Sequence, residues 1–302
     1  MTLTFRSLIF LVSLLCTSTA FAQAPFVNGV DLTTIQAPWT MRILGQDLDI
    51  TNTQAKPDKR SAYFMMVSES TRLNASVFIE PVGACRTSEA CRDHVLGLGN
   101  PSWGDYRDLS KGTIKDFSYF EFYRPEVKGK PVKMLDMYAE YVADGYWIDL
   151  HISKVLYTKE DHKLFEALIN AITFIPKAKP LASPFDLQVK EGEKSASDWL
   201  RLWSTSKCRE TYASLSSITK SENSEDSWVT FCSKVNATVG PVTSRDLIGA
   251  AYTSSLPGKT TSPVSIHIYQ TGSEKVPSFI EIIGMVREES GKWVITNYLP
   301  QR

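Results

Sequence analysis

The chain has 302 residues, with 33 basic and 33 acidic side chains and a formal net charge of zero. This length exceeds a typical single core of about 100–200 residues, so more than one domain is expected. Because neither sign of charge forms a run, the composition argues against a nucleic-acid-binding stripe and against a polybasic membrane patch.

The N-terminus has the composition of a cleaved secretory signal. Arg6 supplies a positive charge, residues 8–16 form an apolar run, and residues 20–22 (Ala-Phe-Ala) supply a small-x-small cleavage site. Cleavage after Ala22 would give a mature protein that starts at Gln23 and is periplasmic or secreted. The apolar run is shorter than the about 20 residues that a spanning helix needs, and no later segment predicts a membrane span.

The cysteines that would remain fall into two local pairs, Cys85 with Cys91 and Cys208 with Cys232. Four cysteines allow three connectivities, but pairing within each half requires no contact between the halves. In an oxidising compartment we therefore expect the disulfides Cys85–Cys91 and Cys208–Cys232. A metal site is the alternative, and the spacing disfavours it because the sequence contains no CxxC motif.

A proline-rich segment divides the chain. Residues 175–184 include three prolines, which is typical of a semi-extended linker. We expect a signal peptide at residues 1–22, a first domain at 26–176, a linker at 177–194 and a second domain at 195–302.

The first half shows the alternation of apolar and polar residues that is typical of strands. Strands are predicted, in chain order, at residues 63–67, 73–80, 117–122, 134–142 and 146–155. In the last of these, Ile148, Leu150 and Ile152 share one face, which we expect to lie on the core.

Two helices are predicted in the same half. Thr158 and Asp161 provide a capping-box-like start for a helix whose apolar stripe runs over residues 164–172. A shorter helix is predicted to start at Thr87 or Ser88. This order of strands and helices indicates an α+β fold in which helices pack on an antiparallel sheet. It resembles the sandwich shared by the photosystem PsbP proteins and their bacterial exported relatives.

In the second half, helices are predicted before strands. A capping-box-like start at residues 195–198 leads into the apolar residues of a first helix, and a second helix is predicted at residues 225–239. Strands are predicted to follow at residues 247–254, 264–270, 279–286 and 293–298. The fold class expected for the whole chain is therefore α+β, with two domains that each have an antiparallel sheet packed by helices.

An ordered set of residues in this half resembles a known family. The set comprises Trp199-Leu200, Trp228, residues 240–245 (Gly-Pro-Val-Thr-Ser-Arg), Tyr252-Thr253, Leu256-Pro257-Gly258, Glu281, residues 291–293 (Gly-Lys-Trp) and Tyr298. Over residues 195–299 this pattern resembles a bacterial domain family of unknown function, number four thousand and nineteen. The resemblance implies the cone-shaped fold of cystatin-like and nuclear-transport-factor-like proteins. It implies no activity. Cys208 stands where the family usually has an aromatic residue, so its pairing with Cys232 would replace a packing contact.

No catalytic motif is found in the sequence, which has no GxSxG, HExxH, Walker loop, dinucleotide-binding glycine loop or calcium loop. His94, His151, His162 and His267 are widely spaced, so each is interpreted as an exposed or edge residue rather than a ligand. No cofactor and no metal is expected, and a non-enzymatic role is favoured over an enzymatic one.

Four residues are candidates for binding. Arg245 and Glu281 are expected to pair inside the cone, as a structural ion pair or, in the alternative, with Arg245 as an anchor for an anionic ligand. Tyr119 and Phe122 lie in a strand with aromatic residues on both faces. Such a strand is either exposed, and able to bind a partner by edge addition, or covered on both faces.

Three functions remain open on this basis. The first is an exported binding or accessory protein (an inhibitor, a protective factor or part of an envelope complex) that binds an envelope protein through one domain or through the groove between the two. The second is a carrier of a small acidic or lipidic ligand in the cone of the second half. There, Trp199, Trp203, Trp228 and Trp293 would line a cavity or, as we favour, pack a core. The third is an enzyme with an unrecognised site, since fold alone does not fix function.

Overall fold

The computed structural model describes residues 29–56, 58, 60–100, 103–177, 184–253, 255 and 260–301. In the helix that begins at Pro184, side chains are described from residue 188 onward. The predicted signal peptide at residues 1–22 lies outside the described residues, and so does the Leu-Pro-Gly motif at 256–258.

The described chain is built from strands and helices that alternate in blocks. The strands are β1 (Gly29–Thr34), β2 (Trp39–Leu44), β3 (Asp49–Ala55), β4 (Ala62–Ser68), β5 (Leu73–Pro81), β6 (Arg107–Ile114), β7 (Phe117–Val127), β8 (Lys130–Ala143), β9 (Tyr146–Lys154), β10 (Ile172–Pro176), β11 (Val242–Thr253), β12 (Val264–Ser273), β13 (Phe279–Arg287) and β14 (Trp293–Gln301). The helices are α1 (Ser88–Leu98), α2 (His162–Asn170), α3 (Pro184–Ser204), α4 (Cys208–Ala213), α5 (Ser217–Glu222) and α6 (Glu225–Val239). Every strand predicted from the sequence is present, whereas β1, β2, β3, β6 and β10 were not predicted.

These strands form two antiparallel sheets of seven strands each. The N-terminal sheet has the order β3-β4-β5-β9-β8-β7-β6 and comes entirely from the first half of the chain. The other, here called the composite sheet, has the order β10-β2-β1-β11-β12-β13-β14. The expected architecture of antiparallel sheets packed by helices is thus confirmed. An unpredicted feature is that β1, β2 and β10 of the first half join the sheet of the second half, with Val30 opposite Thr253.

An aliphatic core lies between the two sheets. In β9, Ile148, Leu150 and Ile152 are fully buried in this core, as their alternation predicted. Ile268 of the composite sheet faces the same core, while its neighbour Tyr269 points to the opposite face. Because successive strand residues point to opposite faces, the composite sheet is buried on both sides.

The opposite face of the composite sheet carries a second core, which is rich in aromatic residues and covered by α3, α4 and α6. Its buried aromatic residues are Trp199, Trp203, Trp228, Tyr252, Tyr269, Trp293 and Tyr298. The ring centroids of Trp199 and Trp203 are 5.1 Å apart, and those of Trp203 and Tyr298 are 4.3 Å apart. Side chains therefore fill the space between these helices and the composite sheet.

The two helices predicted in the first half begin where the sequence placed them. Thr87 is the N-cap of α1, and its hydroxyl accepts a hydrogen bond from the backbone N–H of Ala90 at 3.1 Å. The predicted capping box of Thr158 and Asp161 is also present, although its first turn is a 3-10 turn that leads into α2. Helix α1 covers the outer face of the N-terminal sheet, where it packs on Phe122 and its neighbours.

Helix α3 begins at Pro184, before the start predicted at residue 195. Residues 184–194 are therefore helical rather than linker, and proline is well suited to the first helical position because its missing N–H would have no partner there. The division of the chain into two domains at residue 176 stays a prediction, since the composite sheet joins strands from both sides of it.

Candidate functional site

Arg245 and Glu281 form an ion pair on the helix-covered face of the composite sheet. Nε of Arg245 lies 2.6 Å from Oε2 of Glu281, and Nη2 lies 3.2 Å from Oε1. The two residues lie in β11 and β13, so their side chains meet across β12. Glu281 is 1% exposed, whereas the Arg245 side chain is 16% exposed.

Hydroxyl groups complete the hydrogen bonding of this pair. Tyr298 donates to Oε1 of Glu281 at 2.6 Å, and Thr271 donates to Oε2. Nη2 of Arg245 also donates to Oγ of Ser204 at 3.1 Å. Burial and the neighbouring carboxylate raise the pKa of Tyr298, so its hydroxyl remains a donor. The geometry therefore agrees with the structural ion pair, because the two side chains contact each other twice and the remaining contacts of Glu281 are with buried hydroxyl groups.

The alternative role of Arg245, as an anchor for an anion, retains one supporting observation. Arg245 lines a surface pocket of about 360 Å³, whose other lining residues are Ser197, Arg201, Ser204, Thr205, Val242 and Tyr269. The anchor role stays a hypothesis.

Tyr119 and Phe122 lie in β7, which is an internal strand between β6 and β8. Phe122 is fully buried with Trp103, at a ring-centroid distance of 5.2 Å. Tyr119 points to the other face and packs against the core between the sheets. The hypothesis of an exposed strand that binds a partner by edge addition is therefore wrong for β7. The alternative, coverage of both faces, is what the structure shows.

His267 differs from its interpretation as an exposed or edge residue, whereas His94, His151 and His162 are partly exposed. His267 is fully buried in β12, where its Nε2 lies 2.8 Å from Oγ of Ser265. Burial lowers the pKa of His267 to about 4, so the ring is neutral at physiological pH. A serine and a histidine in contact suggest a nucleophile and base, but both are enclosed beneath Gly192 of α3, and Nδ1 of His267 has no hydrogen-bond partner among the described atoms. The pair therefore lacks both access and an orienting acid.

A groove of about 470 Å³ lies between α3 and the strands that the first half contributes to the composite sheet. The helical layer covers the second half of this sheet and leaves a recess over β1, β2 and β10. The lining residues are Asp31, Thr33, Ile35, Thr40, Ile175, Pro176, Lys177, Val189, Lys190, Glu193, Leu247, Ala250, Ala251 and Tyr252. Residues from both sides of the predicted domain boundary thus build one concave, largely apolar surface.

Polar groups of this groove are held in fixed positions. Nζ of Lys177 donates to the carbonyl oxygen of Thr34 at 2.5 Å, and desolvation lowers the pKa of Lys177 to about 8. Asp31 is paired with Arg42 through two contacts of 2.7 and 2.6 Å. The hydroxyl of Tyr252 donates to Oε1 of Gln188 on α3 at 2.5 Å, and this bond joins the wall of the groove to its floor.

The sequence did not identify the groove residues. Asp31, Thr33 and Arg42 alternate with buried aliphatic residues in β1 and β2, and this alternation was the available signal. It could have predicted a hairpin, but not the sheet that the hairpin joins.

Both predicted cysteine pairs are bridged in the structure, Cys85 with Cys91 and Cys208 with Cys232. Within the described part of the chain, no three histidine, cysteine, aspartate or glutamate side chains are grouped so that they could hold a metal ion. None of the described helices is both long enough and apolar enough to cross a membrane.

Comparison with known proteins identifies one family. Residues 195–298 match the model of a family described as protein of unknown function (DUF4019), which confirms the family that the sequence pattern predicted. No curated protein matches the chain.

Two solved structures are similar to the chain. The solution structure of cyanobacterial PsbP (CyanoP) from Synechocystis sp. PCC 6803 has a TM-score of 0.33 and 11% identity, over 50% of this chain and 95% of that one. A crystal structure from Bacteroides thetaiotaomicron VPI-5482 has a TM-score of 0.36 and 11% identity, over 83% and 88%. The segment that matches the family, residues 195–298, forms about the C-terminal third of the chain.

Proposed function

We propose that this protein is an exported, non-enzymatic binding protein that holds an amphipathic anionic ligand, of the fatty-acid type, in the groove beneath α3. The observation that carries the proposal is the groove itself, an apolar recess with lysines at its margin that both halves of the chain build. The two disulfides agree with a protein that folds in an oxidising compartment.

The size and lining of the groove favour a small ligand with an apolar body. Its volume of about 470 Å³ lies within the range of about 300–1,000 Å³ that is usual for small-molecule sites. Ile175, Val189, Leu247 and Ala250 offer apolar contact. The cone of the second half is filled by tryptophan side chains, so the carrier hypothesis moves from the cone to this groove.

The charges of the groove favour an acidic head group. Lys177 and Lys190 line it, and Asp31 is already neutralised by Arg42. Glu193 is the remaining acidic residue of the lining. An ammonium has three donors, and Nζ of Lys177 uses two of them on the carbonyl oxygens of Thr34 and Ile35. The two hydrogen bonds fix the orientation of the ammonium, and its third N–H donor is available to a carboxylate of the ligand.

Titration of the folded protein with dodecanoate tests the proposal, with dodecanol and dodecylammonium as ligands of matched length and different charge. We expect dodecanoate to bind and the ammonium to bind at least about tenfold more weakly. Ala250→Leu should fill the groove and abolish binding, and Lys177→Met should weaken it. Lys194→Met, on an exposed part of the same helix, is the control. Equal binding of the three ligands, or unchanged binding to Ala250→Leu, would contradict the proposal.

A second candidate, a protein-binding factor, is favoured by the open edge of the N-terminal sheet. Strand β6 is the last strand of that sheet, most of its residues are exposed, and Leu109 is 43% exposed. An edge strand of this kind can accept a strand from a partner. Affinity capture from envelope extract should recover a partner with the wild type and with Lys194→Met, but not with Leu109→Lys. Recovery that is the same for all three proteins would remove this candidate.

A further inference from the structure

A second pocket, independent of the groove, lies on the outer face of the N-terminal sheet. It has a volume of about 240 Å³ and is lined by Phe78, Glu80, Trp147 and Asp149. Strands β5 and β9 pair so that Phe78 is opposite Asp149 and Glu80 is opposite Trp147. Because of this register, the two aromatic and the two acidic side chains alternate around the pocket. We call it the acidic aromatic pocket.

A second carboxylate lies behind Asp149. Strand β8 places Glu140 directly opposite Asp149 on the other side of β9, and Glu140 is fully buried. Oε1 of Glu140 and Oδ1 of Asp149 are both buried without a hydrogen-bond partner among the described atoms. Buried carboxylate oxygens usually have such partners. The two orphan oxygens therefore mark a place where positive charge or a hydrogen-bond donor is missing.

The other charged groups on this face are already engaged. His151, the next outward residue of β9, lies 2.9 Å from Oδ1 of Asp136. Arg124 also contacts Asp136, at 2.6 Å. His94 of α1 contacts the ring of Trp147, with centroids 6.5 Å apart. Among the described residues, no cation forms an ion pair with Glu140 or Asp149.

Trp147 and Phe78 are held as walls of the pocket. Nε1 of Trp147 donates to Oε2 of Glu140 at 2.6 Å, which fixes the plane of the indole. Phe78 is 40% exposed and lies against Tyr63, with ring centroids 4.4 Å apart. The faces of such rings attract organic cations through their negative quadrupole.

The rim of the pocket already binds an ammonium. Nζ of Lys56 lies 2.6 Å from Oε1 of Glu80. The Lys56 side chain is 64% exposed, so this pair is accessible to exchange with solvent. A second ammonium could occupy the interior beside Asp149 without displacing Lys56.

We propose that the acidic aromatic pocket binds an alkylammonium group, either that of a small free amine or that of a lysine side chain of a peptide. Asp149 and Glu80 supply the negative charge, Phe78 and Trp147 supply the aromatic walls, and the buried carboxyl of Glu140 orients Trp147. An organic cation fits this lining better than a metal ion, because two aromatic walls leave too few oxygen ligands to complete a coordination shell.

The affinity of the pocket for a cation should depend on pH, because its carboxyl groups must be ionised to attract the cation. Burial, followed by the charge of Asp149, raises the pKa of Glu140. Burial raises the pKa of Asp149 to about 6, while His151 opposes and Glu80 adds to the shift. A bound cation favours the ionised form of Asp149. Binding should therefore release a proton near pH 6 and weaken as the pH falls below that value.

Titration with cadaverine, followed by isothermal titration calorimetry, tests the proposal. We expect saturable binding at pH 7.5 that is weaker at pH 5, and no binding of the uncharged analogue pentanol. Asp149→Asn and Phe78→Ala should each weaken binding about tenfold, whereas Glu69→Gln, an exposed carboxylate in the turn after β4, should leave it unchanged. Circular dichroism shows whether each variant is folded.

A second titration distinguishes the two sources of the ammonium. Nα-acetyl-lysine N-methylamide, in which the ε-ammonium is free, presents the same group on a peptide backbone. Tighter binding of this probe than of cadaverine would assign the site to a protein or peptide. Tighter binding of cadaverine would assign it to a free amine. Absence of binding by both probes, or equal binding to the wild type and to folded Asp149→Asn and Phe78→Ala, would overturn the proposal.

Discussion

Glu281 and Glu140 are both buried on inner strands of a sheet, but their carboxyl groups have different partners. Glu281 of the composite sheet contacts the guanidinium of Arg245 through both oxygens and accepts further hydrogen bonds from Tyr298 and Thr271. Glu140 of the N-terminal sheet faces another carboxylate, Asp149, and each has an oxygen without a partner among the described atoms. We call the first pair, Arg245 and Glu281, the closed cluster. We call the second pair, Glu140 and Asp149, the open cluster, because Asp149 lines a pocket.

The difference teaches how to separate structural from functional charges in a protein without catalytic motifs. A buried charge that is paired and fully hydrogen-bonded contributes to the specificity of packing. A buried charge without a partner lowers the stability of the fold. Binding sites often contain such charges, because a ligand supplies the missing partner. By this criterion the pair of Arg245 with Glu281 has the contacts of a structural ion pair, while Asp149 is the stronger candidate for a ligand.

The largest effect is expected when the closed cluster is broken. Arg245→Ala leaves Glu281 buried and unpaired, so it should destabilise the fold by about 3–5 kcal/mol. Urea unfolding measures this change. Arg209→Ala removes an ion pair with Glu225 in which both side chains are exposed, and it should cost less than about 1 kcal/mol. A loss at Arg245 no larger than that at Arg209 would mean that the closed cluster is not a structural element.

The covalent bridges extend the comparison between the two regions. Cys208–Cys232 joins α4 to α6 and closes a loop with a sequence separation of 24, while Cys85–Cys91 joins the segment before α1 to its first turn with a separation of 6. In the loop-entropy account, removing them should cost about 3 and about 2 kcal/mol respectively. Cys208→Ser should therefore lower the Tm by several degrees, and by more than Cys85→Ser. The reverse order would show that loop length does not govern their contribution.

In the open cluster, substitution should stabilise rather than destabilise. The folded-state pKa of Asp149, about 6, lies above its reference value of 3.8, so folding takes up a proton and stability falls as the pH rises between these values. Asp149→Asn should be more stable than the wild type by about 1–3 kcal/mol at pH 7.5, and the difference should shrink at pH 4. Chemical unfolding at both pH values measures it. A wild type that is the more stable protein at pH 7.5 would contradict the open character of this cluster.

The smallest effect on stability is expected at the rim of the pocket. Lys56→Met removes an exposed ion pair with Glu80, so the free energy of unfolding should change by less than about 1 kcal/mol. Because the variant frees a carboxylate of the pocket, cadaverine should bind it a few-fold more tightly. Weaker binding to this variant would show that Lys56 does not compete with the ligand for Glu80.

Much of the local structure could be predicted from the sequence. The alternation of Ile148, Leu150 and Ile152 correctly placed one face of β9 in the core. The capping residue Thr87 placed the start of α1, and the order of residues such as Trp228 and Arg245 identified the family. These features depend on neighbours in the chain, and local periodicity reports them directly.

The interaction surfaces could not be predicted in the same way. Phe122 was a candidate for an exposed strand because its aromatic neighbours alternate on both faces, but the burial of a strand depends on the layers that cover it. His267 was interpreted as an exposed or edge residue because the histidines are widely spaced in the sequence, but α3 covers it. Helix α3 starts earlier than predicted, because Pro184, which the composition assigns to a linker, occupies the first position of the helix.

By itself, the sequence determined many of the elements, the cysteine pairs and the family of residues 195–298, because each of these depends on spacing along the chain. Only the tertiary structure decided that β1 pairs with β11, where Val30 meets Thr253, and that Glu140 lies opposite Asp149. Backbone hydrogen bonds between strands are the same for every residue type, so they do not specify which strand pairs with which. The groove and the acidic aromatic pocket therefore exist only where sheet order and register bring distant residues together.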